Sequence, residues 1–118
     1  MTRPSLPVVK GMLDPLVLRA LSWAPMHGFE ITEWIETSSS GTLDLEEAAV
    51  YQSLYRLEAR GHITAEWGVT ANNRRARYYE VTREGREWLR TEIRSWLRSA
   101  EAVTAVLTEP PFTESTAG

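Results

Sequence analysis

The chain has 118 residues, of which 42% are hydrophobic and 25% are charged, values typical of a single globular domain. It contains no cysteine, which excludes disulfides, thiolate nucleophiles and cysteine-based zinc sites. No apolar run approaches the roughly 20 residues of a transmembrane helix, and residues 1–7 lack the apolar stretch of a secretory signal. We therefore expect a cytoplasmic protein without membrane association.

The formal net charge of −3 conceals a basic middle of the chain. Residues 56–98 contain ten arginines and six acidic residues, a balance of +4, whereas the segments on either side are acidic. Twelve of the thirteen basic residues are arginine, whose guanidinium makes bidentate contacts with phosphate and guanine. The acidic total is therefore compatible with a nucleic-acid partner.

The N-terminal third predicts an arm followed by two helices. Residues 1–10 hold prolines and show no periodicity, so we expect a flexible or extended arm there. Asp14-Pro15 is typical of a helix start, with aspartate as N-cap and proline at the first helical position. The apolar spacing that follows predicts two amphipathic helices, which meet at a turn containing Gly28.

The middle of the chain predicts a third helix and a β-hairpin. The helix is expected to end just before Gly61, because a basic residue followed by glycine is typical of a helix end. Alternating apolar and polar residues then predict two strands, Ile63–Trp67 and Tyr79–Thr82, each with one buried face. The segment between them, residues 68–76, is rich in turn-forming residues and arginine.

A long helix is expected over residues 83–108, followed by a disordered tail over 109–118. Apolar residues recur in it at spacings of four and three over almost three heptads, a pattern typical of a coiled-coil seam. About 25 helical residues span roughly 37 Å, more than a small domain needs for its own core. We therefore predict a homodimer interface, the alternative being a seam within one chain's core. The seam residues are Leu89, Ile93, Trp96, Ala100, Val103 and Leu107.

This order of elements predicts a mainly α protein with a small β-hairpin. Residues 11–82 should form a winged helix-turn-helix domain, and residues 83–108 a C-terminal dimerisation helix. In such a domain the third helix enters the major groove, so the residues on its exposed face should contact DNA. They are Tyr51, Gln52 and Arg56; Gln52 can pair bidentately with adenine, whereas Tyr55 is expected in the core.

The hairpin, or wing, supplies a second set of predicted DNA contacts. Arg74, Arg75 and Arg77 have no acidic neighbour between Glu66 and Glu80, and unopposed like charges suit a phosphate backbone or a narrow minor groove. A solvated loop is the alternative. His27 is either a turn residue that caps the second helix or a further phosphate contact.

No pattern in the chain predicts catalysis. His27 and His62 are the two histidines, and neither has the spacing of a metal ligand or a catalytic triad. The acidic pair Glu46-Glu47 opens a helix, where the helix dipole favours acidic residues. We therefore expect no enzymatic activity, no metal and no cofactor.

Several segments resemble the PadR family of transcriptional regulators. They are GMLDPLVL at 11–18, MHGFEI at 26–31, VYQSLYRLEARG at 50–61, NRRARYY at 73–79 and TREG at 82–85. The resemblance implies the short form of the family, a winged-helix homodimer with a single C-terminal dimerisation helix. Such a homodimer binds double-stranded DNA at a near-palindromic operator and usually represses.

The resemblance also implies a small-molecule effector, and at two positions this sequence differs from the family. Some members of the family release DNA on binding aromatic small molecules, and Trp96, in the middle of the seam, is the expected contact for one; alternatively it fills a dry core. The family usually has proline where Gln52 stands and tyrosine where Phe29 stands. The competing hypothesis is a winged-helix protein-interaction module that does not bind DNA.

Overall fold

The computed structural model describes residues 6–110. Its order of elements confirms a mainly helical chain with a small hairpin and a long last helix. The elements are β1 Leu6–Pro7, α1 Leu13–Leu21, α2 Gly28–Ser38, β2 Leu43–Asp44, α3 Glu47–Ala59, β3 Ile63–Val69, β4 Arg75–Val81 and α4 Arg83–Thr108.

The core lies between the first three helices and the base of the β3–β4 hairpin. Each helix contributes apolar residues three or four positions apart, which places them on one side of the helix. The first turns of α4 close the core through Leu89, which is buried. The main core side chains are Val17, Leu18, Leu21, Ile31, Ile35, Val50, Leu54, Leu57, Ile63 and Val81.

Asp14 does not cap α1, so that prediction is wrong. The helix begins at Leu13, and Met12 is its N-cap without a side-chain hydrogen bond. Asp14 lies within the first turn and is buried, and its carboxylate accepts a hydrogen bond from the buried Ser53 of α3. Burial of a carboxylate is costly unless it is hydrogen-bonded. Asp14 therefore binds Ser53 on α3 and does not cap its own helix.

The β3–β4 hairpin is longer than the sequence pattern predicts. Its antiparallel ladder extends to the pair Val69 and Arg75, so the strands carry residues assigned above to the turn. The turn itself closes through the Thr70 carbonyl, which accepts from the Asn73 amide at 2.9 Å. Asn73 adopts a left-handed φ of 61°, a conformation that asparagine tolerates well.

Two junctions fix the hairpin and α4 to the helices. Met26 forms an antiparallel bridge with Tyr79, exchanging backbone hydrogen bonds of 2.9 and 3.2 Å. Thr82 caps α4 by accepting from the Gly85 amide at 3.0 Å. A Cβ at Gly85 would collide with the carbonyl oxygen of His62, so the helix approaches the strand closely only because this residue is glycine.

The two ends of the described chain lie outside the core: the N-terminal segment is extended, and the end of α4 is exposed. Leu6–Pro7 pairs in parallel with Leu43–Asp44, so the described part of the predicted arm is extended. Residues 1–5 of the arm and 111–118 of the tail lie outside the described residues. The side chains of residues 101–110 are all exposed, and the longest dimension of the molecule is 70 Å. The second half of α4 therefore projects away from the core.

Candidate nucleic-acid interface

The three residues of α3 that are predicted to contact DNA are all exposed: Tyr51, Gln52 and Arg56. None of them belongs to the hydrophobic core. Tyr55 is 77% exposed, so the expectation that it belongs to the core is wrong. Because the buried row of this helix runs through Val50, Leu54 and Leu57, Tyr55 falls on the outer side beside Tyr51 and Gln52.

Tyr51 is held against the first turn of α2. A Cβ at Gly28 would lie 2.8 Å from the phenol ring of Tyr51, so glycine allows α2 and α3 to meet. The preceding His27 is the N-cap of α2, and its amide donates to Glu30 Oε1 at 3.1 Å. The His27 ring also packs edge-on against Tyr78, with ring centres 5.3 Å apart. His27 therefore joins α2 to the wing.

The three wing arginines have different surroundings. Arg74 lies in the turn, whereas Arg75 and Arg77 belong to β4. The guanidinium of Arg77 donates to Glu58 Oε2 at 3.2 Å and lies 5.8 Å from the ring centre of Tyr79. Within residues 6–110, neither Arg74 nor Arg75 has a carboxylate partner. These two are therefore the wing arginines that are free to bind an anion.

A cleft of about 410 Å³ lies between the start of α2, Tyr51 of α3 and the wing. None of the described residues that line it is acidic. Tyr79 is nearly fully buried at its base, and this burial raises the pKa of the phenol, a shift that the positive charge of Arg77 partly offsets. The lining residues are His27, Gly28, Phe29, Tyr51, Trp67, Arg75, Ala76, Arg77 and Tyr79.

Arg56 is joined to α1 by a carboxylate that is largely buried. Its Nη2 donates to Asp14 Oδ1 at 2.7 Å, and its Nε donates to Oδ2 at 3.2 Å. These hydrogen bonds and the negative charge of Asp14 raise the pKa of Arg56, against the effect of burial. Arg60 Nη1 also lies 3.8 Å from the same carboxylate. These hydrogen bonds give Arg56 a structural role, while its side chain is still 46% exposed, so its contact with DNA stays a prediction.

The predicted dimer seam divides into two parts along α4. Leu89 is buried in the core of its own chain, and Ile93 packs against that core. Leu89 is therefore unavailable to a partner, and its assignment to the dimer interface is wrong. Beyond Ile93 the seam is free: Trp96 and Val103 are exposed, and Leu107 is 78% exposed. Ala100 is half-buried.

Trp96 borders a small apolar cavity of about 150 Å³. The other lining residues come from the N-terminal segment, α1 and β2: Val8, Val9, Met12, Leu16 and Leu43. Within one chain, the indole is thus half-covered on one side and exposed on the other. This position is compatible with packing in a dimer and with contact to a flat ligand.

Several exposed residues were not predicted. Trp67 and Phe29 line the cleft and are largely exposed, and Leu97 and Val106 extend the apolar surface of α4. The strand Ile63–Trp67 was predicted to have one buried face, but on that face the burial ends at Ala65, and Trp67 is exposed. Leu97 and Val106 lie next to the seam residues Trp96 and Leu107, so a strict spacing of four and three does not include them.

The comparison with known protein families decides the class of the chain. The profile of the transcriptional regulator PadR-like family matches residues 17–91, more than half of the sequence. The chain belongs to the PadR-like family. It is a DNA-binding transcriptional regulator and not an enzyme, as predicted. PadR-like regulators bind DNA and typically form dimers.

Solved structures share the fold of the chain, and one sequence relative matches most of its length. A PadR-like transcriptional regulator from Bacillus cereus superposes with a TM-score of 0.73 at 22% identity, over 86% of this chain and 96% of the other. A PadR family regulator from Eggerthella lenta gives 0.69 at 26% identity, over 86% of both chains. An uncharacterised protein of Lysinibacillus sphaericus is 26% identical over 81% of this chain and 88% of its own.

In the part of the chain that the structure describes, no group of three or more histidine or acidic side chains is placed to hold a metal ion. Within the same residues, no helix combines the length and the apolar character that crossing a bilayer requires.

Proposed function

We propose that this PadR-like regulator represses transcription as a homodimer bound to a near-palindromic operator. The observation that carries the proposal is the arrangement around the cleft: Tyr51 of α3 and the wing arginines Arg75 and Arg77 line the same depression, and none of its described lining residues is acidic. An α-helix fits the major groove, and a basic hairpin suits the neighbouring phosphates and minor groove.

The residues proposed to contact DNA fall into two groups. Gln52 faces outward from α3 and can reach base edges, a contact that confers sequence specificity, whereas Tyr51 beside it can reach a phosphate or stack on a sugar. Arg74 and Arg75, with Arg77 as a weaker contributor, supply positive charge to the phosphate backbone, which confers affinity. His27 borders the cleft at the start of α2, where it is proposed to approach a phosphate.

Dimerisation is proposed to use the free part of the α4 seam. Trp96, Val103 and Leu107 are exposed in one chain, and contiguous apolar patches of this kind mark interaction sites. A twofold dimer would present two α3 helices to two half-sites about one helical turn of DNA apart. This symmetry explains why a near-palindromic operator is expected.

Trp96 is also the proposed contact for a small aromatic effector. The apolar cavity beside it, about 150 Å³ within one chain, would be extended by a second subunit packed on the seam. A regulator of this kind acts on chromosomal DNA, so we place it in the cytoplasm.

The proposal is tested by titrating a labelled duplex from the region upstream of the chain's own gene, beside a mixed-sequence duplex of equal length. We expect tighter binding of the upstream duplex, a steep loss of affinity with salt and a protected region with twofold symmetry in footprinting. If the folded dimer bound neither duplex at low salt, the alternative of a protein-interaction module would replace the DNA-binding proposal.

A further inference from the structure

Trp67 and Arg75 lie on the same face of the β3–β4 hairpin. Side chains alternate between the two faces of a strand, so this face is defined by every second cross-strand pair. At the base its residues are buried, whereas beyond Ala65 they are exposed. The core-facing side of the hairpin therefore continues past the core and borders the cleft. Its pairs are Ile63–Val81, Ala65–Tyr79, Trp67–Arg77 and Val69–Arg75.

The two side chains form a cation–π pair. The guanidinium carbon of Arg75 lies 4.7 Å from the ring centre of Trp67, and the indole is 63% exposed. Stacking on an aromatic face leaves the five N–H donors of an arginine, which lie in the guanidinium plane, available to another ligand. Arg77, by contrast, already donates to Glu58. Trp67 thus orients the arginine without occupying its donors.

We propose that Trp67 is a positioning residue that directs Arg75 at a backbone phosphate of the bound DNA. This inference rests on the proposed function, in which α3 lies in the major groove and the wing reaches the adjacent minor groove. The sugar–phosphate strand that separates the two grooves must then cross the cleft between α3 and the wing. The cleft offers it no acidic side chain among its described lining residues, and Arg75 stands at its edge.

The energetic reason lies in the freedom of the arginine side chain. A long side chain loses rotamer freedom when it is immobilised in a complex, and this loss opposes binding. An arginine that is already stacked on an indole has lost much of that freedom before DNA arrives. Trp67 therefore increases the affinity for DNA through Arg75. This role explains why a tryptophan that contributes little to the core stands at an exposed position.

The test compares Trp67→Leu with Trp67→Phe. Both variants keep an apolar side chain, but only phenylalanine keeps a ring beneath the guanidinium. We expect Trp67→Leu to bind both the upstream and the mixed-sequence duplex about 5- to 30-fold more weakly, the factor that corresponds to a partly to fully desolvated cation–π contact. Trp67→Phe should recover most of the affinity. Thermal unfolding of each variant verifies that the fold is retained.

A double-mutant cycle shows whether Trp67 acts through Arg75. We expect Trp67→Leu to cause no further loss of DNA affinity when Arg75→Ala is already present, because the orienting residue then has nothing to orient. Additive losses would overturn the inference, since Trp67 would then act independently of Arg75.

The chain contains a matched control pair away from the cleft. The guanidinium of Arg19 lies 4.8 Å from the ring centre of Trp23, which is 61% exposed and does not line the cleft. Trp23→Leu should leave DNA affinity unchanged. Equal losses in Trp23→Leu and Trp67→Leu, or no loss in Trp67→Leu while the wild type binds, would overturn this inference alone. Absence of binding by the wild type would overturn the proposed function as well.

Discussion

Asp14 and Arg56 join the first helix to the recognition helix through two hydrogen bonds, at 2.7 and 3.2 Å. The same carboxylate accepts a third hydrogen bond, from the buried hydroxyl of Ser53, at 2.6 Å. Both donors belong to α3, one turn apart. The orientation of the helix that carries Gln52 therefore depends on a carboxylate that is remote from it in sequence.

Asp14→Ala should destabilise the fold by about 2–3 kcal/mol. The change removes one partner of a largely buried ion pair and leaves the Ser53 hydroxyl without its acceptor; the expected loss lies below the range for a fully buried pair because Arg56 is half-exposed. Urea unfolding measures the difference. The control is Glu87→Ala, which breaks the exposed Arg83–Glu87 pair and should change stability much less. If Asp14→Ala and Glu87→Ala lowered the free energy of unfolding equally, Asp14 would contribute no more to stability than an exposed ion pair does.

Gln52→Ala should reduce sequence discrimination by about 1–3 kcal/mol at one base pair of each half-site, the usual contribution of a bidentate base contact. Binding of mixed-sequence DNA should hardly change, because Gln52 carries no charge. Titration against a set of operators with single base-pair changes measures the effect. If the variant kept the base preferences of the wild type, Gln52 would not contact a base.

Arg75→Ala and Arg77→Ala should differ in their effect on the salt dependence of binding. Each lost phosphate contact should lower the slope of log affinity against log salt by about 0.9. Arg75→Ala should show this reduction in each subunit, whereas Arg77→Ala should show less, since Glu58 already neutralises part of its charge. A larger reduction for Arg77→Ala would reverse the roles assigned to the two arginines.

Local patterns predicted the fold because each of them has a local physical cause. The end of α3 just before Gly61, which adopts a φ of 78°, and the turn at Asn73 both follow from backbone preferences of single residues. The buried faces of α1 to α3 follow from apolar spacing. The resemblance to the PadR family, carried by five segments, agrees with the order of elements that these patterns predict.

The site was predicted less completely, because its details depend on contacts between distant residues. Asp14 precedes Arg56 by 42 positions, and nothing near either residue indicates that they pair. Leu89 fits the heptad seam as well as Val103 does, yet only the packing of α4 on α1 decides that Leu89 belongs to the core. The exposure of Trp67 likewise depends on where the core ends beneath the hairpin.

Stability should decrease at alkaline pH in part because of Tyr79. Burial raises the pKa of this phenol above its value in the unfolded chain, which is about 10. Its contribution to stability is therefore complete below pH of about 10 and is lost as the pH rises toward the folded pKa. Urea unfolding at pH about 8 and about 10.5 should show a smaller decrease for Tyr79→Phe than for the wild type. Tyr55→Phe, at an exposed tyrosine, should behave like the wild type.

Val103→Glu should dissociate the proposed dimer, because it places a charge in the middle of the free part of the α4 seam. Val103 is 57% exposed in one chain, so a glutamate there is solvated in the monomer and would be buried without a partner in the dimer. The matched control is Ala105→Glu, two residues further on and about 200° around the helix. Sedimentation velocity at micromolar protein should show a monomer for Val103→Glu and a dimer for the control and the wild type.

The same pair of variants connects assembly to DNA binding. A monomer contacts one half-site, so Val103→Glu should lose most of its preference for the upstream duplex while retaining weak, salt-sensitive binding to both duplexes. The variant should stay folded, because the substituted side chain lies outside the core, and its melting temperature should fall only by the stabilisation that dimerisation gives the wild type. If Val103→Glu remained dimeric and Ala105→Glu became monomeric, the interface would lie on the opposite face of α4, and the assignment of Trp96, Ala100 and Leu107 to it would fall.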